Sequence, residues 1–136
     1  MSGYMQEAKG IYLALSGGTT LTSFLGGTKI YNTVAPSGGS LPYVVFQHYS
    51  GGYENETPTD STDDYWLIKC IARNASVAGS AADMISSILH KTELTAVSGW
   101  ENFQTTMRWR VAYIEADMGE TLYHAGGVFR IRMSKK

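Results

Sequence analysis

Serine followed by Gly-Gly occurs at Ser16, Ser37 and Ser50, which places a hydroxyl nucleophile beside permissive backbone each time. An acyl-transfer serine needs the Gly-x-Ser-x-Gly elbow, and a phosphate cradle needs a Gly-Lys-Ser/Thr ending. None of the triplets has either, so all read as turns. His48, His90 and His124 are widely separated, without partners at metal-ligand spacing. His48 falls on a strand, and His90 lies near a helix C-terminus, where it favours the helix dipole. Asp60, Asp63 and Asp64 resemble the start of a cation loop, but the required glycine and closing bidentate glutamate are out of register. Arg108, Trp109 and Arg110 interleave charge and aromatic ring as single-strand binders do. On an alternating strand, however, Trp109 points away from both arginines, which fits a core tryptophan flanked by surface charge. The sequence therefore assigns no catalytic, cofactor-binding or metal-ligating residue, and the chain reads as a non-enzyme.

Composition narrows the classes further. A chain of 136 residues is long enough for one good core and is read as a single domain over 1–136. Its charged fraction of 17% is low and its aromatic fraction is 12%, a balance suited to a surface covered by another chain. A formal net charge of -1 gives no global attraction to nucleic acid or membrane. No apolar run approaches the roughly 20 residues of a membrane span, and the N-terminus lacks a signal-peptide pattern. Cys70 is the single cysteine, so no intrachain disulfide forms, and its apolar neighbours Ile68, Ile71 and Ala72 predict an inert buried thiol. Without a secretory signal, the sequons at Asn55 and Asn74 carry no weight.

The elements that position these residues follow from periodicity. Met5, Ala8, Ile11, Tyr12 and Leu15 fall at helical spacing between Ser2, a plausible N-cap, and the Gly17-Gly18 stop. Residues 20–25 add a further helical turn. Strands are expected at about 43–49 and 65–73, a second helix at about 77–91, and a long alternating segment at about 103–115. That helix carries Ala78, Ala81, Ala82, Ile85, Ile88 and Leu89 on one face. A hairpin around Asp117–Glu120 leads to a last strand at about 128–133. The order predicts an α+β fold: an antiparallel-rich sheet of about four to five strands with two main helices packed on one face. Trp66, Ile68, Phe46, Trp109, Val111, Ile11, Leu15, Ile85 and Leu89 are the expected core. On the 65–73 strand, Trp66, Ile68, Cys70 and Ala72 form the inward face. Tyr65, Leu67, Lys69, Ile71 and Arg73 form an outward face too apolar for simple exposure.

Charge is segregated along the chain. Between Ile30 and Ile68 there is no Lys or Arg, yet Glu54, Glu56, Asp60, Asp63 and Asp64 supply five acids. From Thr121 onward there is no Asp or Glu, yet Arg130, Arg132, Lys135 and Lys136 supply four bases. Residues 50–64 read as a long mobile polar loop. Its acids form a candidate loop facing a lumen or a partner. Leu67, Lys69, Ile71, Arg73, Arg130 and Arg132 form a candidate subunit interface. Acidic and basic ends meeting between adjacent subunits would set the register of a head-to-tail assembly.

The segment Ile30–Gln47, IYNTVAPSGGSLPYVVFQ, carries the most information. Pro36 and Pro42 restrict the backbone, Gly38 and Gly39 permit a tight reversal, and Val44, Val45 and Phe46 make a buried strand run. With Ile11–Leu15, Leu21–Gly27, the Ala/Ile-rich second helix, Ser98-Gly99-Trp100 and the closing GGVFRIR strand, it resembles the tail completion (tail terminator, head–tail joining) proteins of long-tailed bacteriophages. The acidic 50–64 segment departs from the family's pattern. The resemblance implies a structural virion protein of the tail or neck, assembled in the host cytoplasm. It implies a homo-oligomeric ring, commonly a hexamer, that caps the tail tube, ends its polymerisation and meets a neck or connector protein. DNA would pass through without specific binding, and no cofactor or membrane is implied. The alternatives are another neck or tail-tube component and, more remotely, a small α+β enzyme.

Overall fold

The computed structural model describes residues 3–56, 59–94, 99–117 and 119–135. Two helices come first, α1 (Gly3–Ser16) and α2 (Thr19–Leu25), followed by a short strand β1 (Ile30–Asn32). A long hairpin, β2 (Tyr43–Glu56) and β3 (Thr59–Ala72), leads to helix α3 (Ala75–Leu89). A second long hairpin, β4 (Trp100–Asp117) and β5 (Glu120–Lys135), completes the chain. The strands form a five-stranded sheet in the order β1-β2-β3-β5-β4, antiparallel except where β1 runs parallel to β2. This is the expected α+β architecture.

Local chemistry explains the boundaries. Asn74 caps α3 by accepting from the Ser76 and Val77 amides at 2.7 and 3.3 Å, so the helix starts two residues before the expected Val77. His90 takes the C-cap position, and its Nδ1 accepts the Met107 amide at 2.9 Å, tying the helix end to β4. In the reversal before β2, the Gly39 amide donates to the Pro36 carbonyl at 2.9 Å with Gly38 at φ 80, and the Leu41–Pro42 peptide is cis. The suggested cap Ser2 lies outside the described residues.

All three helices cover one face of the sheet. Ile11 and Leu15 of α1, Leu21 and Leu25 of α2, and Ile85 and Leu89 of α3 meet Phe46, Trp66, Ile68, Phe129, Ile131 and Met133 in one buried cluster. Seven of the nine expected core residues are in it; Trp109 and Val111 are not. Trp109 is 46% exposed and Val111 half-buried. The reason is a β-bulge between Met107 and Trp109: Met107 pairs with buried Phe129, whereas Trp109 pairs with Val128, so the two point to opposite faces. The α1 stripe is also narrower than expected. Ala8, Ile11 and Leu15 are buried, whereas Met5 and Tyr12 stand exposed.

The segment 50–64 is a correction of another kind. It is not a loop: β2 and β3 stay paired from Ser50↔Tyr65 to Glu56↔Thr59. The two strands of the segment pair their backbones with each other across the hairpin. Residues 57 and 58 lie outside the described residues.

Candidate functional site

The face of the sheet turned away from the helices holds Leu67, Lys69, Ile71, Arg130 and Arg132 of the expected subunit contact, with Arg73 just past the end of β3, together with Trp109, which simple alternation puts inside. On β3 it presents Tyr65, Leu67 and Lys69, all half-buried. Ile71 is more deeply covered, 8% exposed, in a small cluster with Val45 and Leu122 against which Leu41 and Tyr43 pack. The chain itself therefore supplies part of the cover expected from a neighbour at Ile71. Lys69 reaches the Tyr113 hydroxyl and lies 5.0 Å from the centroid of that ring. Arg73 pairs with Glu120 at 3.2 Å with both side chains more than half exposed, a weak interaction.

Arg130 and Asp63 do not wait for a neighbouring subunit. β3 and β5 are adjacent, and the Arg130 fork donates from Nε to Oδ1 at 2.8 Å and from a terminal nitrogen to Oδ2 at 2.5 Å. The Arg130 hydrogen bond is the main cause holding the Asp63 carboxyl below its ordinary range, and the nearby guanidinium groups of Arg132 and Arg108 act in the same direction. The opposed charges of the sequence thus partly neutralise each other within one chain. Arg132 itself is exposed. Glu54, Glu56 and Asp60 occupy the outer rungs of the β2–β3 hairpin, opposite Ser61, Thr59 and Asn55 respectively.

Beside Arg130 lies an aromatic group. Trp109 stacks on Tyr65 at 6.0 Å between centroids and meets Tyr49 edge-on at 6.2 Å. Tyr49 is the extra residue of a bulge between His48 and Ser50, as Arg108 is in the second of two bulges on β4. Gly51, next to the first bulge, is at φ 106, and a Cβ there would lie 2.2 Å from the Asp63 carbonyl oxygen. Only glycine fits where the hairpin leaves the body of the sheet.

On the helix side, the root of the same hairpin is pinned by a buried carboxyl pair. Glu7 is fully buried on α1, one turn before Ile11. It accepts from Thr62 Oγ1 at 2.8 Å and from Trp66 Nε1 at 2.7 Å. Burial, then the hydrogen bond and charge of Asp64, push the Glu7 carboxyl up to about 9, so it stays protonated near neutral pH. Asp64, itself buried, pairs with His48 Nε2 at 2.7 Å, and Tyr4 stacks on Trp66 at 5.1 Å. Asp64 therefore serves the hairpin root rather than a lumen or partner. The sequence reading missed Glu7, although a carboxylate in register with Ile11 and Leu15 was a visible signal.

His124 is buried, bonds Glu115 through Nε2 at 2.8 Å and stacks on Tyr113 at 4.3 Å. Cys70 is fully buried, and burial pushes its thiol up to about 12. Among the described residues, no group of three or more His, Cys, Asp or Glu is placed to hold a metal ion, and no helix is long and apolar enough to cross a membrane.

A chain in a structure described as "Virion of native gene transfer agent (GTA) particle" superposes with a TM-score of 0.73 at 21% identity, over 91% of each chain. At that identity the likeness is one of fold. No curated protein matches the sequence. The sequence model of the family "Tail completion protein gp17" matches residues 9–134. With that match spanning nearly all of its length, the chain belongs to the tail completion protein gp17 family.

Proposed function

We propose that this protein is a structural component of a phage tail that forms a ring, caps the tail tube, ends its polymerisation and joins the tail to the neck of the head. The observation that carries the reading is the family match over residues 9–134. The geometry supports it: one sheet face is closed by helices, while the other exposes aromatic and arginine side chains of the kind that dominate protein interfaces. The protein acts through contacts with other chains rather than by catalysis. Leu67, Lys69, Arg73 and Arg132 on the open face are the proposed subunit contacts, with Arg130 and Ile71 supporting them from within. Glu54, Glu56 and Asp60, on the outer hairpin, are the proposed contacts with a neighbour or with the lumen. A lumen carrying acidic residues repels passing DNA and keeps it from adhering.

Electron microscopy of the purified protein, alone and mixed with tail tubes, tests the proposal. Rings alone, and rings seated on one end of the tube, are expected. Binding to portal complexes instead of tubes assigns the chain to the neck. A monomer that engages neither contradicts the ring.

A further inference from the structure

We infer that, in the ring proposed above, the open half of the β4 edge pairs with the free edge of β2 in the next copy, so that backbone hydrogen bonds join the two sheets. The pairing rests on the ring reading and runs along the border of the helix-free face.

The sheet order β1-β2-β3-β5-β4 leaves β4 as an edge strand. The chain covers the first half of that edge itself. The Lys91 amide donates to the Thr105 carbonyl at 2.6 Å, the Thr105 amide to the Thr92 carbonyl at 2.9 Å, and the Met107 amide to His90 Nδ1. Past the bulge at Arg108 the cover stops: among the described residues, nothing pairs with the outer edge over 108–117. Asp117 and Glu120 flank a two-residue turn as a hydrogen-bonded pair, so alternation turns the amides and carbonyls of Arg110, Ala112, Ile114 and Ala116 outward. Residues 109–116, WRVAYIEA, contain no Pro, Gly or Lys to discourage pairing, and they include the strand formers Val111, Tyr113 and Ile114. Ile114 is 65% exposed.

The matching edge lies at the other end of the same sheet. β1 covers only Val44, Val45 and Phe46 of β2, and the Thr33 amide closes on the Phe46 carbonyl. Over 47–56, β2 pairs with β3 alone among the described residues. Val44 and Phe46 turn backbone groups towards β1, and the extra residue Tyr49 shifts the phase, so Gly51, Tyr53 and Asn55 face outward. The open windows, 108–117 and 47–56, are of equal length, and each runs from a covered stretch to the end of a hairpin. Set antiparallel, the covered end of one falls beside the hairpin end of the other, so neither cover obstructs the pairing. Full overlap with outward residues facing each other sets Ala112 opposite Tyr53. The strand directions agree. β3 and β5 alternate between β2 and β4, so a copy repeated by rotation, with its helices on the same side, brings its β2 antiparallel to β4. Within one chain the two edges lie roughly 15 Å apart at the usual strand spacing, so the chain cannot satisfy both itself. A second copy satisfies them, and such a heterologous contact repeats head to tail until the rotation closes it into a ring.

The test uses the full chain, free at low concentration and assembled without tail tubes. Amide hydrogen exchange at Ala112, Ile114 and Ala116, and at Gly51, Tyr53 and Asn55, should slow by about tenfold or more on assembly. Under mild oxidation, a chain carrying Ala112→Cys mixed with one carrying Tyr53→Cys should form disulfide-linked dimers, whereas Ala112→Cys alone should not. Cys70, fully buried, gives no background. Ile114→Pro removes one outward amide and should raise the concentration for half-assembly by about tenfold or more. Circular dichroism verifies folding; if the proline variant unfolds, Ile114→Lys replaces it and should weaken assembly in the same sense. A ring whose 110–116 amides exchange as in the free chain overturns the strand pairing and leaves the ring standing. Ala112→Cys cross-linking to itself overturns it in favour of two β4 edges meeting. Protection that appears only with tail tubes overturns it and gives the edge to the tube protein. An unmodified protein that never self-associates overturns the ring itself.

Discussion

The face of the sheet under α1 and α3 and the face turned away from them are made by the same four long strands, yet they follow different rules. Under the helices, Phe46, Trp66, Ile68, Phe129, Ile131 and Met133 are 0–2% exposed, and buried Glu7 accepts from the Thr62 and Trp66 side chains. On the other side, Trp109, Tyr49 and Tyr113 stand 43–56% exposed among Lys69, Arg108 and Arg132. Regular alternation on β3 and β5 serves both faces, whereas β2 and β4 carry bulges, and those at Tyr49 and Arg108 adjoin the exposed aromatic group. A sheet spends its regular register on its own core. The bulges are where this one leaves Tyr49 and Trp109 exposed.

That contrast can be broken most severely from the helix side. Ile85→Ala or Leu89→Ala, each fully buried, should cost about 2–5 kcal/mol in denaturant unfolding. Leu67→Ala, half-buried on the open face, should cost less than either while weakening assembly. Equal losses at the two faces would show that the open face belongs to the fold of the single chain after all.

The buried carboxyl pair sharpens the contrast through pH. The Glu7 carboxyl is raised in the folded chain, to about 9, above its ordinary value of 4.5. The folded state therefore binds the extra proton, and the stability linked to it is complete below about pH 4.5 and lost as pH rises towards 9. Glu7→Gln removes that titration. Unfolding free energy measured from pH 5 to pH 9 should fall in the original protein relative to the variant, by at most about 1.4 kcal/mol per pH unit. Parallel profiles would mean that Glu7 is ionised in the folded chain.

Smaller effects are expected on the open face. Trp109→Ala should change unfolding free energy by less than about 1 kcal/mol while assembly suffers. Arg73→Ala, which breaks only the exposed pair with Glu120, should change stability by less than about 0.5 kcal/mol. A loss of several kcal/mol at Trp109 would place that ring in the core where simple alternation puts it.

The parts of the fold legible in the sequence are those where one regular period runs uninterrupted. Trp66, Ile68, Cys70 and Ala72 alternate cleanly, and all four are buried. Ile85 and Leu89 keep the helical period, and both are buried. β1, at three residues, is too short to show a period, and it forms because Val44 and Phe46 offer it a ladder. The outer hairpin was hidden because its strands carry no apolar face to announce them. Trp109 was misplaced because a single inserted residue reverses the parity of everything after it, and composition does not reveal a bulge. The expected contacts Leu67, Lys69 and Ile71 alternate on one face of β3, and Arg130 and Arg132 of β5 pair with Tyr65 and Asp63 of that strand. Sequence alone sets Asp63 and Arg130 at opposite poles of an assembly, because their adjacency depends on β3 and β5 being neighbours, which strand order along the chain conceals.

The central claim, that the helix-free face is the assembly surface, is tested most directly by hydroxyl-radical footprinting of the protein free and assembled on tail tubes. Oxidation of Trp109 and Tyr49 should fall by about tenfold on assembly, while buried Trp66 should stay unreactive in both states. Equal oxidation of Trp109 and Tyr49 in the free and assembled protein would contradict the account.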